Sequence, residues 1–162
     1  MKYPLFVIAL FVFAMTGGCG EAGNKGKIGN SGGGTVREDP PKYDPNRGKG
    51  QYGDSGLFVG SSINEVLARE GKTLAEIKCF SCHKITHEKL VGPGWSGVTI
   101  RRKPAWIMNF ITNPDAMLKT DPVAQSLLEI CLVRMPDQNL SGVQARQLLE
   151  FMRKNDLTNK PK

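Results

Sequence analysis

The chain has 162 residues, 40% of them hydrophobic, with 22 Lys/Arg against 15 Asp/Glu for a formal net charge of +7. That length allows one domain with a core and leaves little room for a second. Fourteen of the 19 glycines fall between Gly17 and Gly60, which argues against a core spread over the whole length and points to a flexible front and a compact back.

In chain order, Met1-Lys2 gives a short positive start, and Leu5 to Met15 is an unbroken apolar run of eleven residues. A bilayer needs roughly 20 apolar residues, so this run does not span one. A short apolar core followed by small residues is the pattern of an export signal, expected here over residues 1–18. The run ends in Met15-Thr16-Gly17-Gly18-Cys19. Small residues before a cysteine resemble a bacterial lipobox, in which the cysteine becomes a lipidated N-terminus; Thr16 departs from the leucine usual there. Cys19 is therefore the expected lipid attachment point, and ordinary cleavage nearby, leaving a free thiol, is the alternative. Residues 19–55 are rich in Gly, Asn, Ser, Pro and alternating charge, with few apolar side chains. Such a segment buries too little surface to offset the entropy of ordering, and it reads as a tether. No internal repeat is visible.

The folded domain is expected over residues 56–158, with a short tail at 159–162, and its fold class is mainly α. Leu57-Phe58-Val59 is a candidate short extended piece. In the first helical stretch Ser62 is a candidate N-cap, and Ile63, Leu67, Leu74 and Ile77 follow at helical spacing. Gly71 inside that stretch costs about 1 kcal/mol against alanine, so close backbone packing is expected there. A second helix starts with Pro104 in its first turn, presents Trp106, Ile107, Phe110 and Ile111, and stops at Asn113-Pro114. A third follows Thr120 or Asp121 as cap. The last is the clearest: Ser141 with Gln144 makes a capping box, and Ala145, Leu148, Leu149 and Met152 share one face.

The chemistry concentrates in Glu76 to Leu90, "EIKCFSCHKITHEKL". A structural zinc site needs four ligands, usually with a second pair after a gap, and no second Cys or His pair follows. A redox Cys-X-X-Cys opens a helix in a βαβ context, and no such context surrounds this one. Cys79-Phe80-Ser81-Cys82-His83 does fit Cys-X-X-Cys-His, the pattern of c-type haem attachment. Each thiol adds across one haem vinyl group, so the two must project to one side, as residues three apart on a helical turn do. His83 is then turned toward the iron. For the opposite face, Met135 is the favoured candidate, because "LVRMPDQNL" is non-helical and Pro136 stiffens it. Met117 is a weaker candidate, Met108 and Met152 read as core, and His87 lies too close in sequence to His83 to cross the ring.

An ordered set now stands out: Gly71, the Cys79–His83 motif, Gly92-Pro93, Met135-Pro136, then an amphipathic last helix carrying Phe151. From about residue 62 to 156 the chain resembles a class I cytochrome c. The resemblance implies one covalent haem c, with Cys79 and Cys82 as attachment points and His83 and Met135 as iron ligands. It implies a Pro93 carbonyl that accepts a hydrogen bond from His83, and a crossing of the terminal helices near Gly71 and Phe151. Trp95, Trp106 and Arg101 or Arg102 are candidate propionate partners, with core packing and solvation as the plain alternatives. The stretch from Leu90 to Pro114 is also similar to small exported monohaem cytochromes that accompany nitrous oxide reduction. Cys131 is no general feature of the family and is expected to act as a small buried apolar side chain.

The function implied is electron carriage between respiratory redox proteins, a terminal reductase or oxidase among them, with no enzymatic chemistry. The carrier would work in the periplasm or on the outer side of the cell envelope, anchored through Cys19. From residue 56 onward there are 15 Lys/Arg and 10 Asp/Glu, a surplus of five positive charges, densest at Arg101-Arg102-Lys103. A basic rim can steer an acidic partner; a solvated face is the bland alternative. Nucleic acid is not an expected partner of an exported chain. Two other roles stay open. One is a gas sensor or small haem enzyme with a labile sixth ligand, and the other is a fixed subunit of an oxidase or reductase.

Overall fold

The computed structural model describes residues 42–53, 57 and 59–159. Those residues hold six helices, α1 (Glu65–Lys78), α2 (Val98–Arg101), α3 (Pro104–Thr112), α4 (Pro114–Thr120), α5 (Pro122–Cys131) and α6 (Gly142–Thr158), and no strand. The mainly α expectation holds. The export signal, Cys19, Phe58 and the first part of the expected tether lie outside the described residues, while Leu57 and Val59 sit in no strand. Among the described residues no helix is long and apolar enough to cross a membrane.

Local chemistry explains where the helices begin. The cap of α1 is Asn64 rather than Ser62: its Oδ1 accepts from the N–H groups of Val66 and Leu67, both at 3.1 Å. An asparagine amide caps as well as a serine hydroxyl, and the Asn64 N–H is itself held by Glu150 Oε1 at 2.8 Å. Helices α3, α4 and α5 each start with proline, whose fixed φ suits the first turn and whose missing N–H has no partner there anyway. Asn113 ends α3 and then caps α4, accepting from Ala116 N–H at 3.0 Å. Asn113-Pro114 is thus a start as well as the expected stop, and α4 was not anticipated. Nor was α2, a single turn anchored from afar. Asp156 accepts from the N–H groups of Gly97 (2.6 Å) and Thr99 (2.7 Å). The capping box of Ser141 and Gln144 forms as expected.

Helices α1 and α6 cross at backbone contact. A Cβ built on Gly71 would lie 2.0 Å from the carbonyl oxygen of Gln147, which explains a glycine in mid-helix. The contact falls at Gln147-Leu148, one turn before the expected partner Phe151. That ring packs instead on Phe80 (6.1 Å between centroids) and Trp95 (6.2 Å). Beside the crossing, the fully buried Glu150 binds Arg153 Nη1 at 2.8 Å, the Arg146 guanidinium and the Asn64 N–H. This network ties the start of α1 to α6.

The tether expected through residue 55 is not free over residues 42–53. Asn109, buried on α3, accepts from Tyr52 N–H and donates to the carbonyls of Arg47 and Tyr52, all at 2.9 Å. A glycine-rich, polar composition predicts disorder, yet here a buried side-chain amide supplies the ordering contacts.

Candidate functional site

The end of α1, the loop from 79 to 96, helices α3 and α5 and the loop from 132 to 141 surround one cavity of about 370 Å³, within the range of ligand sites. All eight residues expected to hold a cofactor line it: Cys79, Cys82, His83, Pro93, Trp95, Arg101, Trp106 and Met135. His87 is exposed and is not among the lining residues.

The first wall grows directly out of α1. After Lys78 the chain turns on itself: Cys82 N–H and His83 N–H both donate to the Cys79 carbonyl, at 3.0 and 2.9 Å. That turn brings the two cysteines and the histidine to the same side. Burial pushes the Cys79 thiol up to about 11. His83 Nδ1 donates to the Pro93 carbonyl at 2.8 Å. The bond assigns the proton to Nδ1 and leaves Nε2, which bonds to nothing among the described residues, as the ligating nitrogen. Burial holds the His83 pKa below the ordinary histidine value, with the Pro93 bond acting the other way. The neutral imidazole that a metal requires is therefore favoured.

Gly92 shapes the seat of this ring. A Cβ there would fall 2.4 Å from His83 Cε1, so only a hydrogen leaves room for the imidazole beside Pro93. Gly94 has a similar role one step on: its Cβ would meet the Thr86 carbonyl oxygen at 2.3 Å. The loop containing His87 thus supplies backbone support, not a ligand.

Met135 sits half-buried on the 132–141 loop, outside any helix, and faces the cavity. Both flanks of the loop are tied down. Arg134 pairs with Asp115 of α4 at 2.7 Å, and Lys78 Nζ donates to the Gln138 carbonyl at 3.0 Å. Lys78 therefore joins the loop to the residue before Cys79, a link with no local sequence signal. Met117 drops out as a ligand candidate: it is fully buried in α4, outside the cavity, with its Sδ accepting from Lys49 N–H at 3.0 Å. Met108 is core, as expected, whereas Met152 is core and also lines the cavity. Cys131 departs from expectation. It is half-buried at the end of α5 and contributes to the cavity wall.

The candidate propionate partners divide. Trp106 spends its indole N–H on Asp121 Oδ2 at 3.0 Å, so it lines the cavity with its ring and has no donor left for a carboxylate. Trp95 is packed among Phe80, Phe151 and His83; its backbone N–H donates to the Lys84 carbonyl at 2.9 Å, while its indole N–H bonds to no protein group among the described residues. Arg101 donates one nitrogen to the Ser96 carbonyl at 2.6 Å and keeps the others. Arg102 lies over Trp106, its guanidinium 5.3 Å from the ring centroid. Reading the sequence missed Asn109, whose signal was a polar residue in an otherwise apolar run, "WIMNFI", and gave Asp121 only its capping role.

The donor set fits a covalently held haem. Two thiols and an oriented imidazole share one wall, a thioether lies on the 132–141 loop, and the lining between is mostly aliphatic and aromatic.

The chain matches the family described as cytochrome c over residues 68–156. A comparison with curated proteins found no match. Among solved structures it is similar to a cytochrome c from Rhodothermus marinus, at 35% identity and a TM-score of 0.62, over 64% of this chain and 88% of that one. An engineered cytochrome c from the same organism aligns at 35% identity and a TM-score of 0.60, over 62% and 87% of the two chains. A carbene-bound form of that engineered protein aligns at 34% and 0.57, over the same shares.

Proposed function

The chain belongs to the cytochrome c family and holds haem c covalently, and from that premise we propose that it passes single electrons between redox proteins with iron held by His83 and Met135. The observation that carries the ligation is that both residues line one cavity with Cys79 and Cys82. Haem c supplies an iron that changes by one electron between ferrous and ferric states. His83 is oriented by Pro93, which raises its basicity and fixes its ring. Met135 contributes a thioether, a ligand that favours the ferrous state and raises the reduction potential. With His83 and Met135 both on the iron, no open position would remain there for a substrate. Its work is to exclude water and hold two ligands.

The partners proposed are an electron donor and an acceptor such as a terminal reductase or oxidase, on the outer side of a membrane reached by the 1–18 signal and the Cys19 anchor. A reductase is the acceptor we favour, on the resemblance of Leu90 to Pro114 to small exported cytochromes of nitrous oxide reduction. Arg101 and Arg102 line the cavity and Lys103 is exposed beside them. A basic rim of this kind would speed docking of an acidic partner, an effect that added salt removes.

The test is spectroscopic. The oxidised protein is expected to show a far-red methionine-to-iron charge-transfer band that Met135→Ala abolishes, and only the variant should bind carbon monoxide rapidly when reduced. A wild-type protein that lacks the band and binds carbon monoxide at once would move the reading to a gas sensor.

A further inference from the structure

Residues 42–53 precede the family match, which begins at residue 68, yet buried groups of the haem domain are built around them. Asn109 is 1% exposed and makes three hydrogen bonds to the backbone of residues 47–52. Met117, fully buried, takes Lys49 N–H on its sulfur. The seat is tight. A Cβ on Gly48 (φ +73°) would lie 2.4 Å from Met117 Cε, and one on Gly50 would lie 2.1 Å from Asn109 Oδ1. Arg47 folds back to cap the turn, donating to the carbonyls of Gly50 and Tyr52 at 2.8 and 2.9 Å. A plain tether needs none of this, and leaving such buried polar groups without partners is costly.

The contact of most consequence is at Asp121, which is fully buried. Its Oδ2 accepts from both the Tyr43 hydroxyl and the Trp106 indole N–H. Its Oδ1 accepts from Ala124 N–H at 2.8 Å and so fixes the first turn of α5. Trp106 stacks on Phe110 at 5.1 Å with an interplanar angle of 11°, Arg102 covers it, and all three line the cavity. One carboxylate therefore links the 42–53 segment to two parts of the cavity wall, the Trp106 ring and α5.

We propose that residues 43–52 are a working part of the haem pocket and that Tyr43 is a positioning residue, acting through Asp121 on Trp106. The proposal rests on the cytochrome c reading above. The Tyr43 hydroxyl balances part of the Asp121 charge and fixes the oxygen that Trp106 bonds. Without it the negative charge beside the pocket is less compensated, and ferric iron gains over ferrous.

The experiment uses the full-length holoprotein and the variants Tyr43→Phe, Trp106→Phe and the double variant. It measures covalent haem absorbance, redox equilibrium against a reference couple, and thermal midpoint. Tyr43→Phe is expected to keep the haem and shift the redox equilibrium toward the oxidised form by roughly twofold to tenfold, the scale of one hydrogen bond. Because both residues act through one carboxylate, the double variant should shift by less than the product of the single changes. A Tyr43→Phe protein with a lowered thermal midpoint but an unmoved redox equilibrium, or single effects that simply multiply, would reduce the segment to a structural strap. Covalent haem missing from the wild type would instead overturn the cytochrome c reading itself, so the two failures are distinguishable.

Discussion

Gly92→Ala isolates the seat of the proximal histidine. Gly92 is not at positive φ, so space alone is at stake. The added methyl would stand 2.4 Å from Cε1, 2.8 Å from Nδ1 and 2.9 Å from Nε2 of His83. Ordinary carbon contacts are about 3.5 Å, so ring and backbone must separate by roughly 1 Å. Neither side yields easily. Gly92 N–H donates to the Cys82 carbonyl at 2.8 Å, and His83 directly follows that cysteine. A retreat of the ring stretches its 2.8 Å bond to Pro93 beyond hydrogen-bonding range. Overpacking costs about 1–3 kcal/mol, and the lost bond adds about 0.5–1.5 kcal/mol. At about 4 °C per kcal/mol for a domain of this size, the holoprotein should melt roughly 6–18 °C lower. Its reduction potential should rise, because an imidazole without the Pro93 acceptor is a weaker donor to ferric iron. Thermal unfolding followed in the haem absorbance, together with potentiometry, checks both. A variant within about 2 °C of wild type (half of one kcal/mol on the same scale) and with an unchanged potential would refute the assigned fit between Gly92, His83 and Pro93.

Gly71→Ala should destabilise by about 3 kcal/mol or more, the upper end for overpacking. Its Cβ meets backbone at 2.0 Å, which cannot swing aside as a side chain can; chemical denaturation measures the loss. Glu150 governs acid stability. Burial raises its pKa, but the Asn64 N–H, Arg146 and Arg153 outweigh that, and the net shift lies below the ordinary value of 4.5. A carboxyl with a depressed folded pKa stabilises above the unfolded value and loses that contribution as pH falls through the folded one. Glu150→Gln should therefore be less stable at neutral pH and flatten the decline below about pH 4.5, as read from unfolding midpoints across pH. Leu132 holds φ +59° at the end of α5 with its side chain 85% exposed. Leu132→Gly should gain about 1 kcal/mol by removing left-handed strain, visible as a higher thermal midpoint.

What could be read from the sequence was whatever neighbouring residues determine. The haem motif occupies five consecutive positions, the capping box four, and Pro104 and Asp121 announce helices within a turn. Even Gly71 was informative, since a glycine inside a helical pattern needs a packing reason, and the Gln147 carbonyl supplies it. What escaped depends on partners far along the chain. Helix α2 is one turn with no periodicity of its own, and Asp156 holds it from α6. Residues 42–53 look like linker by composition, but their order comes from Asn109, Met117 and Asp121. The trace of such sites is on the receiving side: one polar residue in an apolar run, Asn109 in "WIMNFI" and Glu150 in "LLEFM". Each is buried, and each binds a segment distant in sequence.

The two sides of the cavity are held by unequal means, and this bears on how the proposed carrier would fail. His83 is bracketed by cysteines in its own turn, by backbone hydrogen bonds across residues 79–96, and by the buried contact to Pro93. The loop bearing Met135 is tied by the Arg134–Asp115 pair, whose side chains are 53% and 62% exposed, and by one lysine bonded to a carbonyl. Exposed pairs of this kind contribute about 0–1 kcal/mol and weaken with salt. On the proposed ligation, the methionine side is therefore the first to open under heat, denaturant or high ionic strength, while the histidine side persists to global unfolding. Sensor-like behaviour would arise on that side without any change at Cys79, Cys82 or His83. Arg134→Ala offers the direct check. It should make carbon monoxide binding to the reduced protein faster and less dependent on salt than in wild type, where salt screens the pair, with the redox equilibrium moving less than in Met135→Ala; a variant that binds no faster than wild type would place the restraint on Met135 elsewhere in the loop.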